Sequence, residues 1–163
     1  MTTPTTPQEQ VWDKIKDIRF AMLTTRDDAG PLSSRPMTTV QKSFDGTLWF
    51  FASRDSQQAL DVAASPQVNL AYADTGDDCY VSIKGTAKLT HDRARIEALW
   101  SPMIKAWFPG GMDDPTLVLI EVEAHEAEFW DVKESKPVQL FKMAKAAVQG
   151  VQPKLGEHAT VSL

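Results

Sequence analysis

Apolar and polar positions change period several times along this chain, and each change marks an element. Near the N-terminus Val11, Trp12, Ile15 and Ile18 recur at helical spacing. They follow Thr6-Pro7-Gln8-Glu9, a capping box with proline at the first helical position. Arg19–Thr25 then alternates as a strand, and Asp27-Asp28-Ala29-Gly30 turns it back. Ser34–Val40 reads as extended: Arg35 precedes Pro36 and is excluded from the helical region, and Thr38, Thr39 and Val40 are β-branched. After a turn at Phe44-Asp45-Gly46, the run Thr47–Ala52 has strand length. A helix opens at Ser53-Arg54-Asp55-Ser56-Gln57-Gln58, with Asp55 predicted as its cap and Gln58 reaching back, and it runs to about Ala64.

Ser65-Pro66 ends that helix, and Gln67–Asp74 alternates with Val68, Leu70 and Tyr72 on one side. A turn at Thr75-Gly76-Asp77-Asp78 leads into the strand Cys79–Leu89, where Gly85 predicts a bulge or a close backbone approach. Thr90 is the expected cap of a helix carrying Ile96, Leu99, Trp100, Met103, Ile104 and Trp107 to the break at Pro109-Gly110-Gly111. A long strand, Thr116–Trp130, and an alanine-rich helix, Pro137–Gln149, complete the pattern. Residues 1–6 are predicted to be a mobile tail and 150–163 a polar tail or arm. Six strands with few helices predict one domain, mainly β with flanking helices (α+β), built as a closed, largely antiparallel barrel.

Composition narrows the partners. The 163 residues carry a net charge of −5 with no run of Lys or Arg, which argues against nucleic acid and anionic membrane surfaces. No apolar run approaches the roughly 18–20 residues a membrane span needs. The start MTTPTTPQEQ has neither a basic region nor an apolar core, so the expected location is cytoplasmic. The one cysteine, Cys79, allows no internal disulfide and reads as a buried thiol.

The chemistry suggested by residue type centres on Ser34–Ala59. A helix start preceded by hydroxyls offers free N–H groups and a positive dipole end, a place for phosphate or simply a solvated cap. Arg54 lies beside it, and Arg35 on the preceding strand is a bidentate partner for phosphate or carboxylate. Trp49, Phe50 and Phe51 add flat apolar surface. Glu121, Glu123 and His125 share a strand face, but Val118, Ile120 and Val122 form the core face opposite; the polar three are expected to meet water rather than metal. Neither a glycine-rich dinucleotide loop nor a P-loop is present. Trp100 and Trp107, seven apart, are predicted on one helix face as core, while Trp107-Phe108 beside the Pro-Gly-Gly turn is placed to cover a ligand.

Four blocks in order carry a resemblance. They are Arg35-Pro36-Met37-Thr38; Leu48-Trp49-Phe50-Phe51-Ala52-Ser53 with Ser56; Leu99-Trp100 through Trp107-Phe108-Pro109-Gly110-Gly111 and Asp114-Pro115; and Ala127-Glu128-Phe129-Trp130-Asp131. Over about residues 8–145 the chain resembles the bacterial general stress protein family within the pyridoxamine 5′-phosphate oxidase-like FMN-binding split barrels. The resemblance implies a six-stranded antiparallel split barrel, a homodimer and FMN held between the subunits. It implies Arg35, Pro36, Met37 and Thr38 along the ring edge, with Arg35 also near the phosphate. Phe51, Ala52 and Ser53 would line the ring and ribityl chain, and Ser56 and Gln57 would hold the phosphate. Trp107 and Phe108 would approach the ring.

Two positions depart from the pattern the resemblance implies. Gln58 stands where such proteins commonly carry lysine, which predicts a weaker phosphate grip and room for FAD. No arginine follows Arg95, whereas the true oxidases resemble one another in a C-terminal arginine-bearing segment, so vitamin B6 oxidase activity is not expected. The expected function is an FMN-binding stress-type protein with possible redox activity. A flavin-dependent oxidoreductase using NAD(P)H or a small amine, and a non-catalytic flavin carrier or sensor, stand beside it. No catalytic residue is identified.

Overall fold

Fifteen residues of one strand, Leu117–Asp131 (β6), form the seam of the molecule. The computed structural model describes residues 6–132 and 135–163, so most of the expected N-terminal tail lies outside the described residues. The other strands are Phe20–Arg26 (β1), Leu32–Thr38 (β2), Thr47–Ser53 (β3), Gln67–Asp74 (β4), Cys79–Thr90 (β5) and Glu157–Ser162 (β7). The main path runs β2-β1-β4-β5-β6-β3, and every pairing is antiparallel. Six strands curled over a shared core make the split barrel that the resemblance implies.

Strand periodicity explains the curl. In β3 the even positions Leu48, Phe50 and Ala52 are buried, and in β4 Val68, Leu70 and Tyr72. They meet the inward residues of β5 and β6 in a single apolar cluster. At Gly85 the β5–β6 register shifts: Lys84 faces Glu126 but Gly85 faces Ala124, which leaves His125 unopposed. A Cβ on Gly85 would lie 2.7 Å from Val122 Cγ1 and 2.8 Å from the Glu123 carbonyl. The predicted bulge is present, and it reverses the inward parity of β6 from Val118, Ile120, Val122 and Ala124 to Ala127 and Phe129. Glu121, Glu123 and His125 face outward as expected, with Glu121 3.7 Å from Lys88 and His125 Nε2 2.7 Å from the Thr86 hydroxyl.

The barrel is open rather than closed. β2 and β3, adjacent in sequence, are the two outer edges of the path and do not pair with each other. Between them Thr39–Gly46 crosses the gap, longer than the tight turn the sequence suggests. Gln41 explains why the crossing is ordered: its side-chain amide donates to the Thr47 carbonyl at 2.6 Å and its oxygen accepts from Trp49 N–H at 2.9 Å, satisfying part of the β3 edge. The Tyr72 hydroxyl, 2.6 Å from the Thr39 hydroxyl, anchors the start of the crossing, and burial pushes its pKa up to about 12.

Helices occupy the outside. Pro7–Ile15 (α1) has the predicted capping box but ends at Ile15, and Ile18 only leans on the core. Gln57–Ala64 (α2) follows β3, and its cap is Ser56 rather than Asp55. The helix predicted across Trp100 and Trp107 is broken into Arg93–Leu99 (α3), capped by Asp92 rather than Thr90, and Pro102–Lys105 (α4). Pro102 disfavours helical backbone at the preceding residue and brings no N–H to continue the ladder. The two tryptophans therefore do not share a helix face: Trp100 packs edge-on against Phe51, at 5.7 Å between ring centres, while Trp107 is 84% exposed.

Lys136–Gln149 (α5) forms as predicted and closes at Gly150, which takes the left-handed conformation. The C-terminal tail is not wholly irregular. β7 pairs with the second half of β6, on the edge whose first half β3 occupies. Ala159 and Val161 give it an apolar face against the core. Among the described residues no helix is long and apolar enough to cross a membrane.

Candidate functional site

The open side of the barrel gathers most of the residues singled out from the sequence. β2 supplies Arg35, Pro36, Met37 and Thr38, but strand alternation sends their side chains two ways. Arg35 and Met37 turn inward towards α2; Pro36 and Thr38 are exposed on the outer face. The β1–β2 turn explains the proline. Asp27 N–H donates to the Pro31 carbonyl, so the paired positions of β2 are the odd ones, and Pro36 lies where a missing N–H faces the open edge.

α2 meets β2 from inside. Gln58 Nε2 lies 3.9 Å from Met37 Sδ, and Arg35 Nη2 lies 3.6 Å from Asp61 Oδ2. Asp61, 2% exposed, is one turn into α2. Its carboxylate also accepts from the Thr25 hydroxyl at 2.6 Å and from Gln57 Nε2 at 2.7 Å. Thr25 in turn accepts from Arg35 Nη1 at 2.5 Å, and the Leu23 carbonyl accepts from the same nitrogen at 3.4 Å. Burial alone would raise the Asp61 pKa; the hydrogen bonds from Thr25 and Gln57 and the Arg35 charge outweigh it and hold the carboxyl below its ordinary value. Sequence reading missed Asp61 and Thr25. The available signal was an acidic residue four after Gln57, inside the otherwise apolar run Leu60–Ala64.

The start of α2 carries the hydroxyls expected there. Ser53 ends β3; its carbonyl accepts from Ser56 N–H at 3.0 Å and from Ser56 Oγ at 2.6 Å, and its own Oγ accepts from Asp55 N–H at 3.3 Å. Ser56 Oγ accepts a long bond from Ala59 N–H, at 3.4 Å. The first turn of α2 contains no acidic side chain, so its positive end is uncompensated from within the helix. Arg54 is exposed immediately before it. A concavity of about 440 Å³ adjoins the other side of α2, between Asp27, Asp28 and Ala29 and the helix residues Gln57, Leu60, Asp61 and Ala64. Its aspartates make it a poor place for phosphate, so an anion is better served by the Ser53–Ser56 end.

Phe51, Ala52, Trp107 and Phe108 divide among different surroundings. Ala52 is buried in the barrel core. Phe51 points to the opposite face, where Trp49, Trp100 and Phe108 surround Ile96, Leu117 and Leu119 in a second apolar cluster. The β3 edge beside Phe51 faces the gap: Trp49 N–H points there to Gln41, and alternation gives Phe51 the same orientation. Trp107 stands away from these groups on its own chain.

With this geometry, the family described as pyridoxamine 5′-phosphate oxidase like matches residues 6–154. The chain belongs to that family. Among curated proteins of the family's kind, General stress protein 26 of Bacillus subtilis is 29% identical over 140 residues, 82% of this chain and 97% of the relative. A crystal structure assigned to general stress protein 26 from Jannaschia sp. CCS1 is similar at TM-score 0.73 and 30% identity, covering 93% of this chain and 95% of that one. The general stress FMN/FAD binding protein of Xanthomonas citri is similar at TM-score 0.69 and 33% identity, over 79% of this chain and 90% of that one. The two solved structures share the fold described above. One of them is a flavin-binding protein by its own name.

Proposed function

We propose that this chain is a flavin-binding protein of the general stress type, one domain holding FMN, with FAD admitted, at a cytoplasmic homodimer. The observation that carries the reading is the meeting of two features at the open side of the barrel. The free edge of β2 from Arg35 to Thr38 lies beside an α2 start that bears Ser53 and Ser56 and no acidic residue in its first turn. The first suits a planar ring with alternating donors and acceptors, the second a phosphate.

In this reading Ser53, Ser56 and the first N–H groups of α2 bind the phosphate, and Gln57 and Gln58 flank it. Arg35 adds charge from inside the barrel. Pro36, Thr38 and Phe51 orient the ring through the two strand edges, Met37 and Ala52 line the barrel behind it, and Trp107 and Phe108 shield it. Such a bound flavin supplies hydride and electron acceptance; the protein supplies position and exclusion of water.

The dimer is supported by exposed apolar surface. On the outer face of β1, Phe20 and Met22 lie opposite Thr38 and Pro36, so an apolar patch is continuous with the proposed ring edge. α5 rests on its own chain mainly through Ala146 and through Lys136 and Gln139 reaching Asp78, while Leu140, Phe141 and Val148 stay exposed. A second copy covering these groups satisfies both.

A non-catalytic flavin carrier is the second reading. It is favoured by Arg35 and Asp61, which hold each other rather than standing free for proton transfer. The test is NAD(P)H oxidation by flavin-loaded protein. Steady turnover supports the oxidoreductase; tight flavin binding without turnover supports the carrier.

A further inference from the structure

Among the described residues Asp61 is the one buried carboxylate, the proposed site does not itself use it, and it ties together two side chains that the site does use. Gln57 and Arg35 come from different elements, α2 and β2, and both end on Asp61, at 2.7 Å and 3.6 Å. Both also reach outward: Gln57 is exposed, and the Arg35 side chain keeps 18% of its surface. The network therefore runs from a buried anion to the surface beside the start of α2. A guanidinium that already faces a carboxylate presents much less net charge to a second anion than a free one.

We propose that Asp61 is a specificity-determining residue of this site. Held inside the fold as the counter-anion of Arg35, it limits how strongly the site grips a phosphate and so narrows the gap between flavins with and without one. The inference rests on the flavin-binding reading. Gln58, neutral and turned to Met37 Sδ, acts in the same direction. Arg54, before the α2 start, is exposed and flanked in sequence by Asp55; on the far side of α2, Asp27 and Asp28 add further negative charge. A hydrogen bond to a charged group is worth roughly ten- to a hundredfold in affinity. The Ser53–Ser56 end would make such bonds from neutral donors, and Arg35 paired with Asp61 adds less to them than a free guanidinium would.

The experiment compares FMN and riboflavin, which differ only by the phosphate, in the wild type and in Asp61→Asn, with Asp61→Ser as a second neutral replacement. Thermal melts establish that each variant is folded. The wild-type preference for FMN over riboflavin sets the reference. The variants should raise that preference at least about fivefold, with riboflavin affinity held within about twofold. An unchanged or lowered preference in a folded variant overturns the inference and leaves flavin binding standing. If the wild type binds neither flavin, the flavin reading fails, and pyrophosphate titration of the same proteins decides the role of Asp61. Tighter pyrophosphate binding in the variants supports it, and equal binding overturns it.

Discussion

Asp61 on α2 and Arg35 on β2 face each other at 3.6 Å across the open side of the barrel, with Thr25 bridging them from β1. This small network fastens α2 to the β1–β2 hairpin and so fixes the start of the helix relative to the β2 edge. Breaking a buried pair by removing one partner typically costs about 3–5 kcal/mol, and a retained hydrogen-bonding replacement costs less. Asp61→Asn should therefore destabilise the fold on the order of 3 kcal/mol at neutral pH, measured by urea unfolding.

The same pair sets a pH dependence. Asp61 titrates lower in the folded chain than in the unfolded one. Its ionised form thus contributes stability fully above the unfolded pKa of about 3.9, and the contribution is lost as pH falls through the lower folded value. The stability gap between wild type and Asp61→Asn should be constant from pH 7 to about pH 5 and shrink steadily below about pH 4. A gap that widens on acidification would contradict the geometry described for the pair.

Gly85 fixes the bulge that bends β5 and β6. A methyl group there would meet the Glu123 carbonyl at 2.8 Å, and backbone cannot step aside as a side chain can. Gly85→Ala should cost about 1–3 kcal/mol in the same unfolding assay. Gly85 faces Val68, just past the end of α2 and not at its start, so flavin affinity of the folded variant should stay within twofold of wild type.

Trp107 offers the opposite profile. At 84% exposure it contributes little to the fold of its own chain, so Trp107→Ala should change stability by no more than about 0.5 kcal/mol. If it shields the ring, the same substitution should weaken FMN binding several-fold, read from flavin fluorescence. A variant with unaltered affinity would remove Trp107 from the site.

The exposed face of α5 makes a prediction about assembly. Phe141, 68% exposed, is its largest unburied apolar side chain. Phe141→Ser should leave the monomer folded and shift sedimentation towards the monomer at micromolar concentration. An unchanged dimer would place the interface elsewhere, with the outer face of β1 and β2 the next surface to alter.

How much of this was legible in the sequence depends on the range of the interaction that decides it. Local signals read true: the capping box at Thr6 and Glu9, the strand Gln67–Asp74 and the bulge at Gly85 all follow from neighbours in the chain. The short-range misreadings were competitions between adjacent candidates, Ser56 over Asp55 and Asp92 over Thr90, where any of the side chains could cap. Pro102 was visible, but the tryptophan spacing argued for an unbroken helix and the proline prevailed.

Long-range pairing left no local trace. Nothing between Thr38 and Thr47 says that β2 and β3 are opposite edges of the sheet, and β7 reads as a polar tail until β6 gives it an edge to join. Asp61 was hidden for the same reason, since its partners come from two strands distant in sequence. The resemblance supplied the fold and the residues proposed for the site; only the three-dimensional contacts disclosed that Arg35 is already paired.

The most direct test of the central claim is the visible absorbance of the purified protein after incubation with FMN and exhaustive dialysis. The account predicts retained oxidised-flavin bands at about one flavin per chain, reduced in a folded Ser56→Ala variant that has lost a hydroxyl at the α2 start. A folded, colourless wild type that retains neither FMN nor FAD would leave the split barrel in place and contradict the function proposed for it.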